Sequence, residues 1–104
     1  MRVEFRREGG FTGIPLTFEL ETESLAPEEA AALRELVEAA DFFDLPAVIS
    51  PPGLGADRFQ YVLTLEENGK RHAVRTSEPV PAALRNLIDF LVKFAKERRA
   101  QGKT

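Results

Sequence analysis

The chain has 104 residues, of which 43% are hydrophobic and 30% charged, and this length is typical of one domain. The 17 Asp and Glu residues outnumber the 14 Lys and Arg residues, and this acidic balance argues against a nucleic-acid-binding protein. The sequence has no cysteine, which excludes disulfides and thiolate metal sites, and no apolar run approaches the roughly 20 residues of a membrane span.

Two segments near the N-terminus alternate apolar and polar residues, and together they predict an antiparallel hairpin. The first is "MRVEFRRE", which has no continuous apolar core and so does not resemble a signal peptide. The second is "LTFELET". The side chains expected on the buried face are Met1, Val3, Phe5, Leu16, Phe18 and Leu20.

The stretch "GGFTGIP", Gly9 to Pro15, joins these two strands and is expected to be a turn. Its glycines suit a turn, but a turn does not require the large apolar side chains of Phe11 and Ile14. Exposed apolar groups of this size are unfavourable unless they are used. The residues therefore leave two interpretations open: Phe11 and Ile14 contact a partner, or Phe11 folds back as a lid over the edge of the sheet.

A helix is predicted from Pro27, which suits the first turn because its missing N–H is not needed there. Glu28 and Glu29 then lie near the positive end of the helix dipole. Pro46 should end any helical structure by Leu45. The predicted buried face consists of Leu33, Leu36, Val37 and Ala40, extended by Phe43.

The next segment, "AVISPPGLGA" from Ala47 to Ala56, contains two prolines and two glycines and predicts an irregular loop. We favour a loop over an interdomain linker, because neither half of the chain alone could bury a stable core.

A second hairpin is predicted from "RFQYVLTLEENGKRHAVRT", in which Asn68-Gly69 are the residues of a type I′ turn. A two-residue turn fixes the register. The predicted pairs are Glu67–Lys70, Glu66–Arg71, Leu65–His72, Leu63–Val74 and Tyr61–Thr76. Phe59, Tyr61, Leu63, Leu65 and Val74 are expected on the inner face, and Arg58, Gln60, Thr64, Glu66 and Arg75 on the outer face.

The last predicted element is a helix in "PVPAALRNLIDFLVKFAKERR", starting near Pro81. Its buried stripe is expected to contain Leu84, Leu87, Ile88, Leu91 and Ala95, with Phe94 beside it. The element order is ββαββα, which predicts an α+β two-layer sandwich: a four-stranded, mainly antiparallel sheet with two helices on one face. We expect a single domain over 1–104 with a frayed C-terminal tail at 97–104.

The residues offer little for catalysis or metal binding. The one histidine, His72, is expected to be a structural residue at the rim of the sheet, and a single histidine excludes a two-histidine metal site such as H-E-x-x-H. The carboxylate pairs flank helix ends or the Asn-Gly turn without another titratable group converging on them. These pairs are Glu28–Glu29, Glu66–Glu67 and Asp41–Asp44. The sequence therefore favours a binding module without a catalytic residue, a bound metal or a cofactor.

Four segments, in this order, resemble the emfourin family. They are the strand running into "GGFTGI", the helix ending "EAADFFDLP", the loop running into "GADRFQY", and "PAALRNLIDFL". The resemblance covers Met1 to about Phe94. Emfourins are small bacterial protein inhibitors of protealysin-like, thermolysin-family zinc metallopeptidases. The resemblance implies a cytoplasmic bacterial inhibitor with no enzymatic activity and no cofactor, and we expect it to be a monomer when free.

Thermolysin-type peptidases favour a bulky apolar side chain just after the scissile bond, so an inhibitor of their cleft should present such a side chain on a loop. The resemblance therefore implies a partner-binding site on exposed loops. The expected residues are Phe11, Thr12, Gly13, Ile14, Leu54 and Arg58. Arg58 either contacts the partner or is a polar strand-entry residue, like its neighbour Asp57.

Two other functions stay open at this point. One is a non-enzymatic interaction or regulatory domain that binds its partner through the open face of the sheet. The other is an unrecognised hydrolase, for which turnover of generic ester or phosphate substrates should be lost on a His72→Ala change.

Overall fold

The structure is a computed structural model that describes residues 1–9, 15–49 and 59–101. Its strands are β1 (Arg2–Gly9), β2 (Leu16–Glu21), β3 (Val48–Ile49), β4 (Phe59–Glu67) and β5 (Lys70–Ser77). Its helices are α1 (Pro27–Ala40) and α2 (Ala82–Gln101). Two short 3-10 turns, Thr22–Ser24 and Phe42–Asp44, follow β2 and α1. The single domain over 1–104 and the frayed tail at 97–104 stay predictions.

The first hairpin forms as its alternating pattern predicts. β1 and β2 are antiparallel, and Val3 pairs with Leu20 while Phe5 pairs with Phe18. Val3, Phe5 and Leu20 are buried, and Phe18 is half-buried, with its ring 5.5 Å from that of Phe5. The hairpin therefore contributes one apolar face to the core.

The second hairpin confirms the register predicted from Asn68-Gly69. Both turn residues have positive φ, 53° at Asn68 and 81° at Gly69, as a type I′ turn requires. The observed pairs include Leu65–His72, Leu63–Val74 and Tyr61–Thr76. Thr64 lies on the outer face, as predicted, but it is buried, because β4 is a central strand with a neighbour on each side.

The sheet has five strands rather than four, in the order β2-β1-β4-β5-β3. The additional strand is β3, which runs parallel to β5 and makes the sheet mixed. It occupies the start of the segment predicted as an irregular loop, and the Arg75 N–H donates to the Ala47 carbonyl over 2.8 Å. A two-residue strand is too short to show period-two alternation, so its sequence carried no signal for it.

Helix α1 begins at Pro27 as predicted and buries Leu33, Val37 and Ala40. Phe43, which was predicted to extend the buried stripe, does pack against the core, as Leu36 does, but it lies after the end of the helix and is only partly buried. Asp41 adopts the left-handed conformation (φ 52°) and ends the helix, and this changes the direction of the side chains that follow. Phe42 is therefore 1% exposed, whereas Phe43 is only partly buried.

Both helices cover the inner face of the sheet, and the core lies between the two layers. Helix α2 contributes Leu84, Leu87, Ile88, Leu91 and Ala95, all buried as predicted, together with Phe94. The Phe94 ring lies 5.9 Å from that of Phe18, and this contact joins α2 to β2 at the edge of the sheet. No helix within the described ranges is both long enough and apolar enough to span a membrane.

Candidate partner-binding surface

The partner-binding residues expected from the sequence all lie outside the described residues. These are Phe11, Thr12, Gly13 and Ile14 in the first loop, and Leu54 and Arg58 in the second. The structure does describe the residues from which both loops start and to which both return.

Residues 10–14 and residues 50–58 are both attached at one end of the sheet, which we call the loop end. It is formed by Gly9, Leu16, Ile49 and Phe59, the strand residues nearest the two loops. Because β1 is antiparallel to both β2 and β4, its end lies beside the starts of its two neighbours: Arg7 pairs with Leu16, the first residue of β2, and Gly9 with Phe59, the first residue of β4. Gly9 pairs directly with Phe59, and adjacent strands are about 5 Å apart. One attachment point of each loop therefore lies beside an attachment point of the other.

Phe59 is held at the loop end by two backbone hydrogen bonds and by ring contacts, one of them with the Tyr61 ring, whose centroid is 6.4 Å away. Its N–H donates to Glu78 Oε1 over 3.1 Å, and its carbonyl accepts from the Glu78 N–H, also over 3.1 Å. The guanidinium of Arg7 lies over its ring, 4.3 Å from the centroid. A cation at this distance over an aromatic face is attracted to it. The start of β4 is thus held by a strand on one side and by the end of β5 on the other.

A cleft of about 480 Å³ opens beside these contacts, between the end of β5 and the start of α2. Its lining residues are Tyr61, Glu78, Pro79, Val80, Arg85, Ile88 and Asp89. Burial raises the pKa of the Tyr61 hydroxyl, and the negative charge of Glu78 adds to this effect. Tyr61 therefore stays a neutral phenol at physiological pH and is suited to hydrogen bonding rather than to proton abstraction.

His72 is half-buried on the inner face of the sheet, more enclosed than the rim position predicted for it. Its Nε2 lies 2.7 Å from the Leu45 carbonyl oxygen, and its ring meets the Phe42 ring nearly edge-on, 5.6 Å between centroids. These contacts tie β5 to the segment after α1. They are the contacts of a structural histidine rather than of a catalytic base.

Two of the three predicted carboxylate pairs make contacts within the fold, and the third, Glu28–Glu29, lies in the first turn of α1. Glu66 pairs with Arg71 across the hairpin, and Glu67 pairs with Arg34 of α1 over 2.6 Å. Asp41 and Asp44 lie close together, and the hydrogen bond between their carboxyl groups raises the pKa of Asp41. Across the described part of the chain, no group of three or more His, Asp or Glu side chains could hold a metal ion.

The outer face of the sheet is open and charged, and ion pairs within the chain largely neutralise it. Arg71 bridges Glu4 and Glu66, and Arg2 bridges Glu4 and Glu19, with N–O distances between 2.9 and 3.5 Å. The only large hydrophobic side chain classed as exposed in the described ranges is Val48, on the edge strand β3. This face thus presents neither an apolar patch nor a concentrated charge of one sign.

Four residues of the inner face, Arg7, Phe59, Tyr61 and Glu78, lie together in the structure, and the sequence did not predict this cluster. Arg7 continues the alternation of Val3 and Phe5, and this parity could have placed it on the inner face. Its position over Phe59 depends on the pairing of β1 with β4, which are about 50 residues apart in the chain. Nothing in the local sequence indicates that pairing.

Comparisons with known proteins give one match. Neither the curated proteins nor the solved structures contain a significant match to the chain. The family model described as Emfourin matches residues 5–92 of the 104 residues. The match covers the second half of β1, all of β2 to β5 and α1, and the first half of α2, and membership implies a metallopeptidase-inhibitor role. The chain belongs to the Emfourin family.

Proposed function

We propose that this protein inhibits a thermolysin-like, protealysin-type zinc metallopeptidase, and that residues 10–14 and 50–58 enter the active-site cleft together. The observation that carries the proposal is the pairing of Gly9 with Phe59, which brings an attachment point of each segment to one end of the sheet. Two segments attached side by side can act on one concave site.

The chemistry of the segments suits a protease cleft. Residues 10–14 supply Phe11 and Ile14, and residues 50–58 supply Leu54, so apolar side chains are available for the subsite after the scissile bond. The glycines allow the backbone to approach an enzyme surface closely. Residues 10–14 contain no histidine and no cysteine, so we infer that they block the cleft sterically rather than by supplying a nitrogen or sulfur ligand to the zinc.

The outer face of the sheet is the alternative binding surface. It is charged rather than apolar, and it is less suitable for binding a peptidase than residues 10–14 and 50–58. Arg2, Arg6 and Arg71 of this face already pair with carboxylates of the same chain, so a partner would have to break those ion pairs without gaining an apolar anchor. The inhibitor is further proposed to act in the cytoplasm of a bacterium and to be a monomer before it binds.

The test is an inhibition assay of the purified protein against a protealysin-type peptidase with a peptide substrate. We expect competitive inhibition, and we expect a small active-site-directed inhibitor to exclude the protein from the enzyme. Undiminished peptidase activity at high protein concentration would contradict the proposed function. Inhibition that persists with the active site already occupied would contradict the proposed mode of binding.

Arg71→Ala provides a control for the surface. Arg71 lies on the outer face and bridges two carboxylates there, far from the loop end. We expect this variant to inhibit as the wild type does. If it loses inhibition while variants in residues 10–14 keep it, the partner binds the open face.

A further inference from the structure

The β4–β5 ladder ends at the loop end in a pair that departs from the regular pattern. Gln60 pairs with Ser77, so the next pair is Phe59 with Glu78. In a hydrogen-bonded antiparallel pair, the two residues exchange two backbone hydrogen bonds. Here the Glu78 N–H donates to the Phe59 carbonyl, but the Phe59 N–H donates to the carboxylate of Glu78. The side chain of Glu78 has replaced its backbone carbonyl as the acceptor.

This replacement follows from the direction of the chain. Strand β5 ends at Ser77, and residues 78–81, which include Pro79 and Pro81, turn towards α2. The backbone carbonyl of Glu78 therefore does not complete the pair, and a carboxylate accepts the N–H in its place. A hydrogen bond to a charged acceptor is stronger than one between neutral groups. The start of β4 thus keeps a firm partner where the ladder would otherwise fray.

The ring of Phe59 is fixed from the other side by Arg7, whose guanidinium lies 4.3 Å from the ring centroid. Glu78 therefore holds the backbone of Phe59, and Arg7 holds its side chain. Phe59 directly follows residues 50–58, and its paired residue Gly9 directly precedes residues 10–14. Arg7, Phe59 and Glu78 thus define a base that both predicted loops share.

We propose that Glu78, assisted by Arg7, is a positioning residue for peptidase binding. It fixes the base from which both loops extend and does not itself touch the enzyme. The inference rests on the proposed inhibitory function. Binding loops that are fixed before association lose less conformational entropy in the complex. Removing the Glu78 acceptor should therefore weaken inhibition without removing any contact to the peptidase.

The test compares three variants of the full chain. Glu78→Ala removes the acceptor, Glu78→Gln keeps an amide oxygen that can accept from the Phe59 N–H, and Asp89→Ala removes another carboxylate that lines the same cleft. We expect Glu78→Ala to raise the inhibition constant about tenfold, the loss typical of one hydrogen bond to a charged group. Glu78→Gln should lose less than Glu78→Ala, because its neutral amide oxygen still accepts a hydrogen bond, and Asp89→Ala should stay near the wild-type value.

Amide hydrogen exchange of the free protein separates positioning from general stability and needs no peptidase. In Glu78→Ala, exchange at the Phe59 N–H should accelerate about tenfold or more, while the amides of Leu63 and Leu65 in the middle of β4 keep their protection. Glu78→Gln should restore the Phe59 protection. If Glu78→Ala does not fold, Arg7→Leu provides the second test, with the same selective loosening expected at Phe59.

Three outcomes would overturn the inference. One is a Glu78→Ala variant that inhibits as the wild type does. Another is a loss of inhibition with unchanged exchange at Phe59, which would make Glu78 a contact residue. The third is accelerated exchange along the whole of β4, which would make its role one of general stability. A wild-type protein that inhibits no peptidase refutes the proposed function instead, and the exchange at Phe59 still decides whether Glu78 holds the base.

Discussion

Gly9 and Phe59 face each other as paired residues of β1 and β4, and each adjoins one of the two segments expected to bind the peptidase. The pairing is the last one of the β1–β4 ladder, so it lies at the very end of the sheet. This relationship makes the two segments neighbours although they are about 40 residues apart in sequence.

Phe42 should contribute much more to stability than its neighbour Phe43. Phe42 is almost fully buried and contacts the ring of His72, whereas Phe43 is only partly buried. We expect Phe42→Ala to lower the free energy of unfolding by about 3–5 kcal/mol. Phe43→Ala should lower it by about 1–2 kcal/mol, in proportion to its smaller burial. Urea unfolding of both variants measures the difference, and equal losses would contradict the assigned end of α1.

Gly69 should resist replacement because of its backbone conformation. Its φ is 81°, and a Cβ built there would meet no atom within 4 Å, so Gly69→Ala introduces strain without a clash. We expect a loss of about 1 kcal/mol in the free energy of unfolding. Asn68→Gly is the matched control, since glycine also adopts positive φ readily, and it should be close to neutral. Similar losses for both variants in chemical denaturation would argue against a type I′ turn.

The Asp41–Asp44 pair should give a small, defined pH dependence. The protonated Asp41 carboxyl donates a hydrogen bond to the Asp44 carboxylate, and this bond, together with the negative charge of Asp44, raises the pKa of Asp41 above its ordinary value of 3.8, so the folded protein favours the protonated form of Asp41. The stabilisation is therefore fully present below pH 3.8 and is lost as the pH rises through the folded pKa of Asp41. An NMR titration of the Asp41 carboxyl carbon measures this value.

In Asp44→Asn, the charge that opposes ionisation of Asp41 is gone, so the midpoint of the Asp41 titration should fall. An unchanged midpoint would show that Asp44 is not the cause of the shift.

Much of the fold could be predicted from local chemistry, and the failures have local causes. Asn68-Gly69 specify a turn that fixes the whole β4–β5 register. All five residue pairs predicted from this turn are observed between the two strands. Pro46 correctly limited helical structure to residues before Leu45, but the last residue of α1 could not be predicted, because Asp41, rather than a glycine, adopts the left-handed conformation. Strand β3 depends on a hydrogen bond between Ala47 and Arg75, which are 28 positions apart in the chain, so neither segment alone indicates it.

The candidate site also has one part that the sequence predicts and one part that it does not. The loop residues were identified from composition and from the family resemblance, and they lie outside the described residues, so their role stays a prediction. The base beneath them, formed by Arg7, Phe59 and Glu78, is a tertiary arrangement. It becomes visible only when β1, β4 and the end of β5 are assembled in one sheet.

Arg58 should affect binding more than stability if it reaches the peptidase. We expect Arg58→Ala to weaken inhibition with an unchanged melting temperature. A parallel loss of inhibition and thermal stability would instead make Arg58 a structural residue at the start of the strand. Inhibition constants and melting curves of the one variant distinguish the two interpretations left open by the sequence.

The most direct test of the account is the inhibition constant of the Phe11→Ala, Ile14→Ala double variant against a protealysin-type peptidase, measured beside the wild type and Arg71→Ala. Truncating an apolar anchor at the centre of an interface commonly costs about 2 kcal/mol or more, which is about thirtyfold in affinity. We expect at least that loss for the double variant, with an unchanged melting temperature and with Arg71→Ala close to wild type. A folded double variant that inhibits as strongly as the wild type would contradict the claim that residues 10–14 block the cleft, and one that unfolds would show that the two side chains serve the fold as a lid.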